Sequence, residues 1–296
     1  MRIFTTGGTQ PATFTVYAGL VLGVSAVSSA AILIRLADAP ALSIAAYRLL
    51  LASILVVPIG LATDWAKLRA LTSRQWALVT VSAACLAAHF AFWITSLEHT
   101  SVASSVIIVT ANPVLVAIGS KLLLREGASP AVILGIGMAL FGGLAITLGD
   151  WEMGERRLYG DFLAFLGAIA VAGYYIAGRS LRERLSLFGY IAPVYGIAAG
   201  ILLVMVFVTG TDMVGFSLQT YGYLTLIGVV PQLVGHSSLN WSLGYLPATL
   251  VSTAVMAEPV SATLLAWAVL DEAPTLATVA GGALVLAGVY VALRRR

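Results

Sequence analysis

Ser96-Leu97…Ala111-Asn112-Pro113-Val114…Leu124-Arg125-Glu126…Gly135…Leu140-Phe141-Gly142 and Ser242-Leu243…Ala257-Glu258-Pro259-Val260…Leu270-Asp271-Glu272…Gly281…Leu286-Ala287-Gly288 are one pattern written twice. A single ungapped offset aligns them, since 242 − 96, 259 − 113, 272 − 126 and 288 − 142 each equal 146. If each copy crosses a membrane an odd number of times, the two halves face opposite ways. Inverted repeats are an architecture of alternating-access transporters, which hold substrate near the midplane between the halves.

Composition places the chain in a membrane. Apolar residues make up 60% of the 296, and charged residues 10%, against roughly 25% charged in a soluble domain. The mean hydropathy is +0.98, and the apolar stretches are continuous. They do not alternate over about ten residues as in an outer-membrane barrel. The pI of about 9.1 comes from basic residues in short loops, which points to membrane orientation and not to nucleic acid. The 29 glycines suit close helix approach in lipid, and Gly19/Gly23 and Gly196/Gly200 have packing spacing. The single Cys85 forbids an internal disulfide. The first apolar run, from about residue 12 to 34, is too long for a signal-peptide core and is expected to stay as the first span.

An all-α polytopic membrane protein is therefore predicted, with ten transmembrane helices in two inverted five-helix repeats. The helices fall near 13–36, 41–62, 75–97, 102–124, 130–149, 159–180, 187–209, 217–241, 248–270 and 275–293. Residues 1–153 form the first repeat and 154–296 the second. Alternate loops carry unequal charge. Arg2, Lys67, Arg69, Arg74, Lys121, Arg125, Arg179, Arg182, Arg184 and Arg294 to Arg296, twelve of the sixteen Lys and Arg, fall on one side. Arg35, Arg156 and Arg157 fall on the other, with most of the carboxylates. Positive charge marks the cytoplasmic side, so both termini are expected there, in a cell inner membrane.

Two charges lie inside apolar helices: Arg48 in Ala46-Tyr47-Arg48-Leu49 and Glu258 in Met256-Ala257-Glu258-Pro259. Each costs roughly 2.5–3.5 kcal/mol on insertion scales, so such a residue faces the bundle interior and has a partner or a ligand. The pair could bind each other and lock the helices, or serve as electrostatic elements of a cavity or its gates. Pro113 and Pro259 interrupt their helices at matching points, each lacking the N–H that would bond to Val109 or Val255. Paired interruptions point to a transporter's central site, and a packing kink is the plain alternative. The repeat is asymmetric just there, with Asn112 before one proline and Glu258 before the other.

A third set is polar and aromatic. His89 and Trp93 stand at i, i+4 and share a helix face; His236 and Asn240 do the same, beside Trp241. Tyr47 adjoins Arg48, and Tyr174-Tyr175 lies inside the sixth helix. Tyr47, His89, Trp93, Tyr174, Asn240 and Trp241 are the candidate substrate-binding residues, with Arg48, Asn112, Glu258, Pro113 and Pro259 as gating or electrostatic ones. Each could instead be a satisfied core or interfacial side chain. Together they would give aromatic walls and a few polar anchors, which suits a zwitterion with an apolar side chain. There is no Gly-x-Ser-x-Gly elbow, no phosphate-binding loop and no metal-ligand spacing among His89, His99 and His236. No catalytic residue, metal or cofactor is expected.

At these residues the chain resembles the drug/metabolite transporter superfamily, in its ten-helix branch of amino-acid and metabolite exporters. The resemblance rests on Ala46-Tyr47-Arg48-Leu49-Leu50-Leu51-Ala52, on Ser101-Val102-Ala103-Ser104-Ser105 leading to Asn112-Pro113, and on Leu123-Leu124-Arg125-Glu126. In the second half it rests on Leu246-Pro247-Ala248, Glu258-Pro259, Leu270-Asp271-Glu272 and Gly281-Gly282-Ala283. Asn112 departs from the Ser or Glu more familiar at that place. The resemblance implies export of an amino acid, aromatic or neutral, or of a related metabolite by alternating access. The alternatives are a permease for another small metabolite or a cationic drug on the same scaffold, or an intramembrane enzyme.

Overall fold

Helices begin where the sequence supplies a side-chain oxygen for the unpaired N–H groups of a first turn. Thr72 and Gln75 form a reciprocal capping box, and Ser101, Ser186 and Ser217 accept from Ser104, Gly189 and Thr220. In lipid these bonds matter more than in water, because backbone groups have no solvent to turn to.

The computed structural model describes residues 11–148, 155–270 and 274–294. The expected boundary between 153 and 154, and the loop charges Arg2, Asp150, Glu152, Asp271, Glu272, Arg295 and Arg296, lie outside these residues. The described residues are helical with no strand. Helix α1 comprises Thr13–Val27 and Ala30–Leu36. Helix α2 is Ala41–Arg69 and α3 is Ser73–Ser96. Helix α4 is made of Val102–Thr110, Pro113–Gly119 and Ser120–Leu124. Then come α5, Pro130–Leu148, α6, Glu155–Arg182, and α7, Leu187–Thr209. Helix α8 comprises Leu218–Ile227, Gly228–His236 and Ser237–Ser242. Helix α9 comprises Ala248–Val255 and Glu258–Leu270, and α10 is Leu276–Arg294.

Among the described residues, eight helices are long and apolar enough to cross a membrane. Helix α5 is apolar but shorter in its described apolar core, Pro130–Ala145. Two expectations change. Helix α2 runs on past residue 62 to Arg69, carrying Asp64, Lys67 and Arg69 beyond the apolar stretch. Helix α8 is not one continuous α-helix, because Gly228–His236 is π-helical around Pro231.

The packing repeats itself under exchange of the halves. Helices α2 with α7, α4 with α9 and α5 with α10 pair with their own counterparts, while α1 against α8 mirrors α6 against α3. The α5–α10 pair gives the geometry. A Cβ on Gly135 would strike the Gly288 carbonyl, and one on Gly142 would come within 2.5 Å of the Gly281 carbonyl. These positions are related by the repeat, since 281 − 135 and 288 − 142 both equal 146. Residue 135 opposes 288 and 142 opposes 281, so the two helices run antiparallel through a self-complementary contact. Only glycine permits backbones this close. Gly19 and Gly23 likewise admit Trp241 and Leu239, whereas nothing lies within 4 Å of a Cβ at Gly200. Gly200 is not a packing glycine.

Candidate functional site

Both interrupted helices break for the reason their sequences give. Pro113 has no N–H to offer the Val109 carbonyl, and the Asn112 side chain takes it up, Nδ2 donating at 2.9 Å. That bond fixes the amide and leaves Asn112 Oδ1 buried without a partner among the described residues. At the matching break in α9, Glu258 opens the second segment beside Pro259. Among the described residues its carboxylate makes neither a hydrogen bond nor an ion pair, although Glu258 is only 6% exposed.

Asn112 and Glu258 line one cavity with Arg48, His89, Trp93 and His236. Its volume is about 30 Å³, room for water but far below the roughly 300 Å³ of a small-molecule site. Arg48, 1% exposed, does not pair with Glu258. Its Nε donates to Gln232 Oε1 at 2.8 Å, and the guanidinium lies 4.0 Å from the Phe90 ring centre, a cation–π contact. Arg48 Nη1 has no partner among the described residues. His89 Nδ1 donates to the Gly167 carbonyl at 3.0 Å and its ring stacks on Trp93, whose Nε1 is also buried and unpartnered.

The cavity thus has two chemically different walls. Unpaired donors, Arg48 Nη1 and Trp93 Nε1, come from α2 and α3. On the other side Asn112 Oδ1, buried and unpaired, and the Glu258 carboxylate come from the two proline breaks, and His236 Nδ1 is also buried without a partner among the described residues. Buried polar groups are nearly always satisfied, and each exception costs about 1–3 kcal/mol. Arg48, Trp93, Asn112 and His236 each bring one such exception to this single void, with Glu258 beside them.

The other candidates stand elsewhere. The Tyr47 hydroxyl donates to the Met213 carbonyl at 2.8 Å, tying α2 to the loop after α7. Asn240 Nδ2 donates to the Tyr174 hydroxyl at 2.5 Å and the Tyr195 hydroxyl at 3.1 Å. Tyr190 stacks on Tyr174 and shares a 2.8 Å bond with Ser82. This buried network lies beside the cavity, toward the end of the bundle where Arg179 and Arg182 sit. Arg182 Nε holds the Asn240 carbonyl there, and Arg179 pairs with Glu126 at 2.9 Å. Trp241 packs on Gly19 and lines an outward-facing apolar groove of about 430 Å³ with Leu55, Ile59 and Phe188. Pro113 and Pro259 shape the breaks and do not line the cavity.

The EamA-like transporter family model matches this chain twice, over residues 12–148 and 158–294. The chain belongs to the EamA-like transporter family. The two matches are themselves offset by 146, as 158 − 12 and 294 − 148 show, so the family unit is the repeat read in the sequence. Similar proteins include an uncharacterized transporter of Archaeoglobus fulgidus, 27% identical over 190 residues, covering 64% of this chain and 67% of that protein. Another is an uncharacterized transporter of Bacillus subtilis, 22% identical over 185 residues, covering 62% of this chain and 60% of that one. A solved structure at 20% identity covers 96% of this chain and 98% of its own with a TM-score of 0.79, a likeness of fold. In this EamA-like transporter the residue that sequence reasoning missed is Gln232. Its signal was available: an amide directly after Pro231 within an apolar helix.

Proposed function

We propose that this transporter exports an amino acid or a closely related zwitterion by alternating access across the cell inner membrane. Ten crossings form two inverted five-helix repeats, residues 1–153 and 154–296, with both termini cytoplasmic. The antiparallel α5–α10 crossing supports inversion. Equivalent helices that lie antiparallel are exchanged by a two-fold axis perpendicular to them, and thus in the membrane plane. Helix α8 is then a crossing whose apolar run is interrupted by Gln232, His236 and Asn240.

The observation that carries the substrate class is the pairing of unpaired donors with unpaired acceptors around one cavity. A substrate carboxylate would meet Arg48 Nη1 and Trp93 Nε1. Its ammonium would meet Asn112 Oδ1 and Glu258. His89 and Val255 would flank an apolar or aromatic side chain. Tyr174 and Asn240, in the network on the Arg179 side, act at the cytoplasmic closure, and Tyr47 at the outer one. Trp241 borders substrate only from outside the cavity wall.

The test is counterflow with purified protein in liposomes and a panel of labelled amino acids. Exchange of at least one, lost in Glu258→Gln, is expected. Transport of cationic amphiphiles with no amino acid moved would replace this reading with the cationic-drug one, for which the unpaired Glu258 is the counter-ion.

A further inference from the structure

Helices α3 and α8 are counterparts, yet they are not the same length. Their N-caps, Thr72 and Ser217, differ by 145, whereas their last residues, Ser96 and Ser242, differ by 146. Helix α8 therefore holds one residue more than α3. The surplus lies in the π-helical stretch Gly228–His236, nine residues set against the eight of Ala83–Phe90, because 228 − 145 is 83 and 236 − 146 is 90. A π turn is how a helix absorbs one inserted residue, and such turns recur at functional sites. Pro231 sits within it and removes an N–H from the ladder.

Because the π stretch absorbs the surplus, Ser242 is back in step with Ser96, and the facing differs within the stretch itself, where Gln232 stands. Arg48 on α2 corresponds to Val194 on α7 (194 − 48 is 146), and Gln232 falls opposite Leu86 or Ala87, according to which side of the insertion is counted from. Val194, Leu86 and Ala87 are fully buried, so the equivalent place between α7 and α3 is aliphatic. Between α2 and α8 it holds the one amide that receives Arg48 Nε, and its own Nε2 is buried and unpartnered among the described residues.

We propose that Gln232, delivered by the one-residue insertion in α8, is the positioning residue of an anion-binding guanidinium. Its Oε1 occupies Nε and holds the plane of Arg48 against Phe90, which leaves Nη1 unpaired at the cavity for a ligand carboxylate. A carboxylate in place of Gln232 would instead satisfy the cation internally and take the ligand's role. The proposal rests on the cavity being the transport site but does not require the ligand to carry an amino group.

Equilibrium binding to the purified full-length protein separates the possibilities, read as ligand-dependent rise in melting temperature. The probes are three: neutral amino acids, the corresponding amino-acid amides, and simple monocarboxylates of similar size. Wild type is expected to be stabilised by the carboxylate-bearing probes over the amides. Gln232→Leu should weaken carboxylate binding about tenfold and leave amide binding unchanged. Gln232→Glu should abolish the carboxylate preference while its ligand-free melting temperature stays within a few degrees of wild type. Equal weakening of acids and amides in Gln232→Leu would reduce Gln232 to a structural role and overturn the proposal, as would a wild type that no carboxylate stabilises. Stabilisation by monocarboxylates equal to that by amino acids would support the role of Gln232 and sink the zwitterion reading instead.

Discussion

The path from the cavity toward the Arg179 end and the equivalent path toward the other end are built of different matter. On the Arg179 side stand Tyr174, Tyr190, Tyr195 and Asn240, buried and joined by hydrogen bonds and ring stacking. Subtracting the repeat offset of 146 gives Ser28, Ile44, Leu49 and Ile94, all buried, and Ser28 spends its hydroxyl on its own helix, on the Val24 carbonyl. The first set is polar and directional and the second mostly aliphatic; in the proposed cycle they stand toward the cytoplasmic and outer closures, and Tyr47 adds a bond to the Met213 carbonyl at the outer one. A repeat that were merely duplicated would have two equal gates. In the proposed cycle, opening the polar one would break bonds that only water or substrate can replace, while opening the aliphatic one would expose apolar surface.

The strongest test of the symmetric frame beneath that contrast is at the glycine crossing. Gly288→Leu and Gly135→Leu should be about equally damaging, because each places a side chain against the other helix's backbone, which cannot rotate away. Overpacking costs about 1–3 kcal/mol and occasionally more, and the yield of folded protein after detergent extraction should collapse for both. A well-folded Gly288→Leu would show that the antiparallel contact is not the one that joins the halves. The contrast itself is sharpened by substitutions at equivalent positions of the two sets. Asn240→Ile leaves the Tyr174 and Tyr195 hydroxyls without their amide and should cost about 1–3 kcal/mol for each unsatisfied group. Ile94→Val at the equivalent aliphatic place should cost only ~1 kcal/mol. Equal shifts in thermal unfolding for the two would erase the distinction between the gates. The smallest effect belongs to Gly200→Ala. Nothing lies within 4 Å of a Cβ there, so the change should raise stability by roughly 0.5–1 kcal/mol through lost backbone freedom; a destabilised variant would mean that a partner approaches this face.

Much of the frame is legible in the chain itself. The helix starts at residues 13, 130 and 187, the breaks at Asn112 and Glu258, and the glycines of α5 and α10 all follow from rules that act within a few residues of chain. Less of the site is. His89 with Trp93 and His236 with Asn240 have the same spacing on counterpart helices, which invites the same role for both pairs. His89, Trp93 and His236 line the cavity, but Asn240 turns into the tyrosine network. Arg48 and Glu258 are the two obvious partners for one another, and Arg48 instead bonds to Gln232.

The membrane class, the repeat, the places where helices start and break, and the intramembrane charges can all be read without a fold. Each of these is local: a backbone in lipid must satisfy its own hydrogen bonds, and a proline or a cap says where it fails to. Which side chains meet emerges only when the helices pack. Facing depends on rotation about the helix axis, roughly 100° for each residue, so a single inserted residue re-aims the side chains of the π stretch Gly228–His236 that absorbs it. There Gln232 meets Arg48 Nε, whereas the equivalent positions Leu86, Ala87 and Val194 are aliphatic.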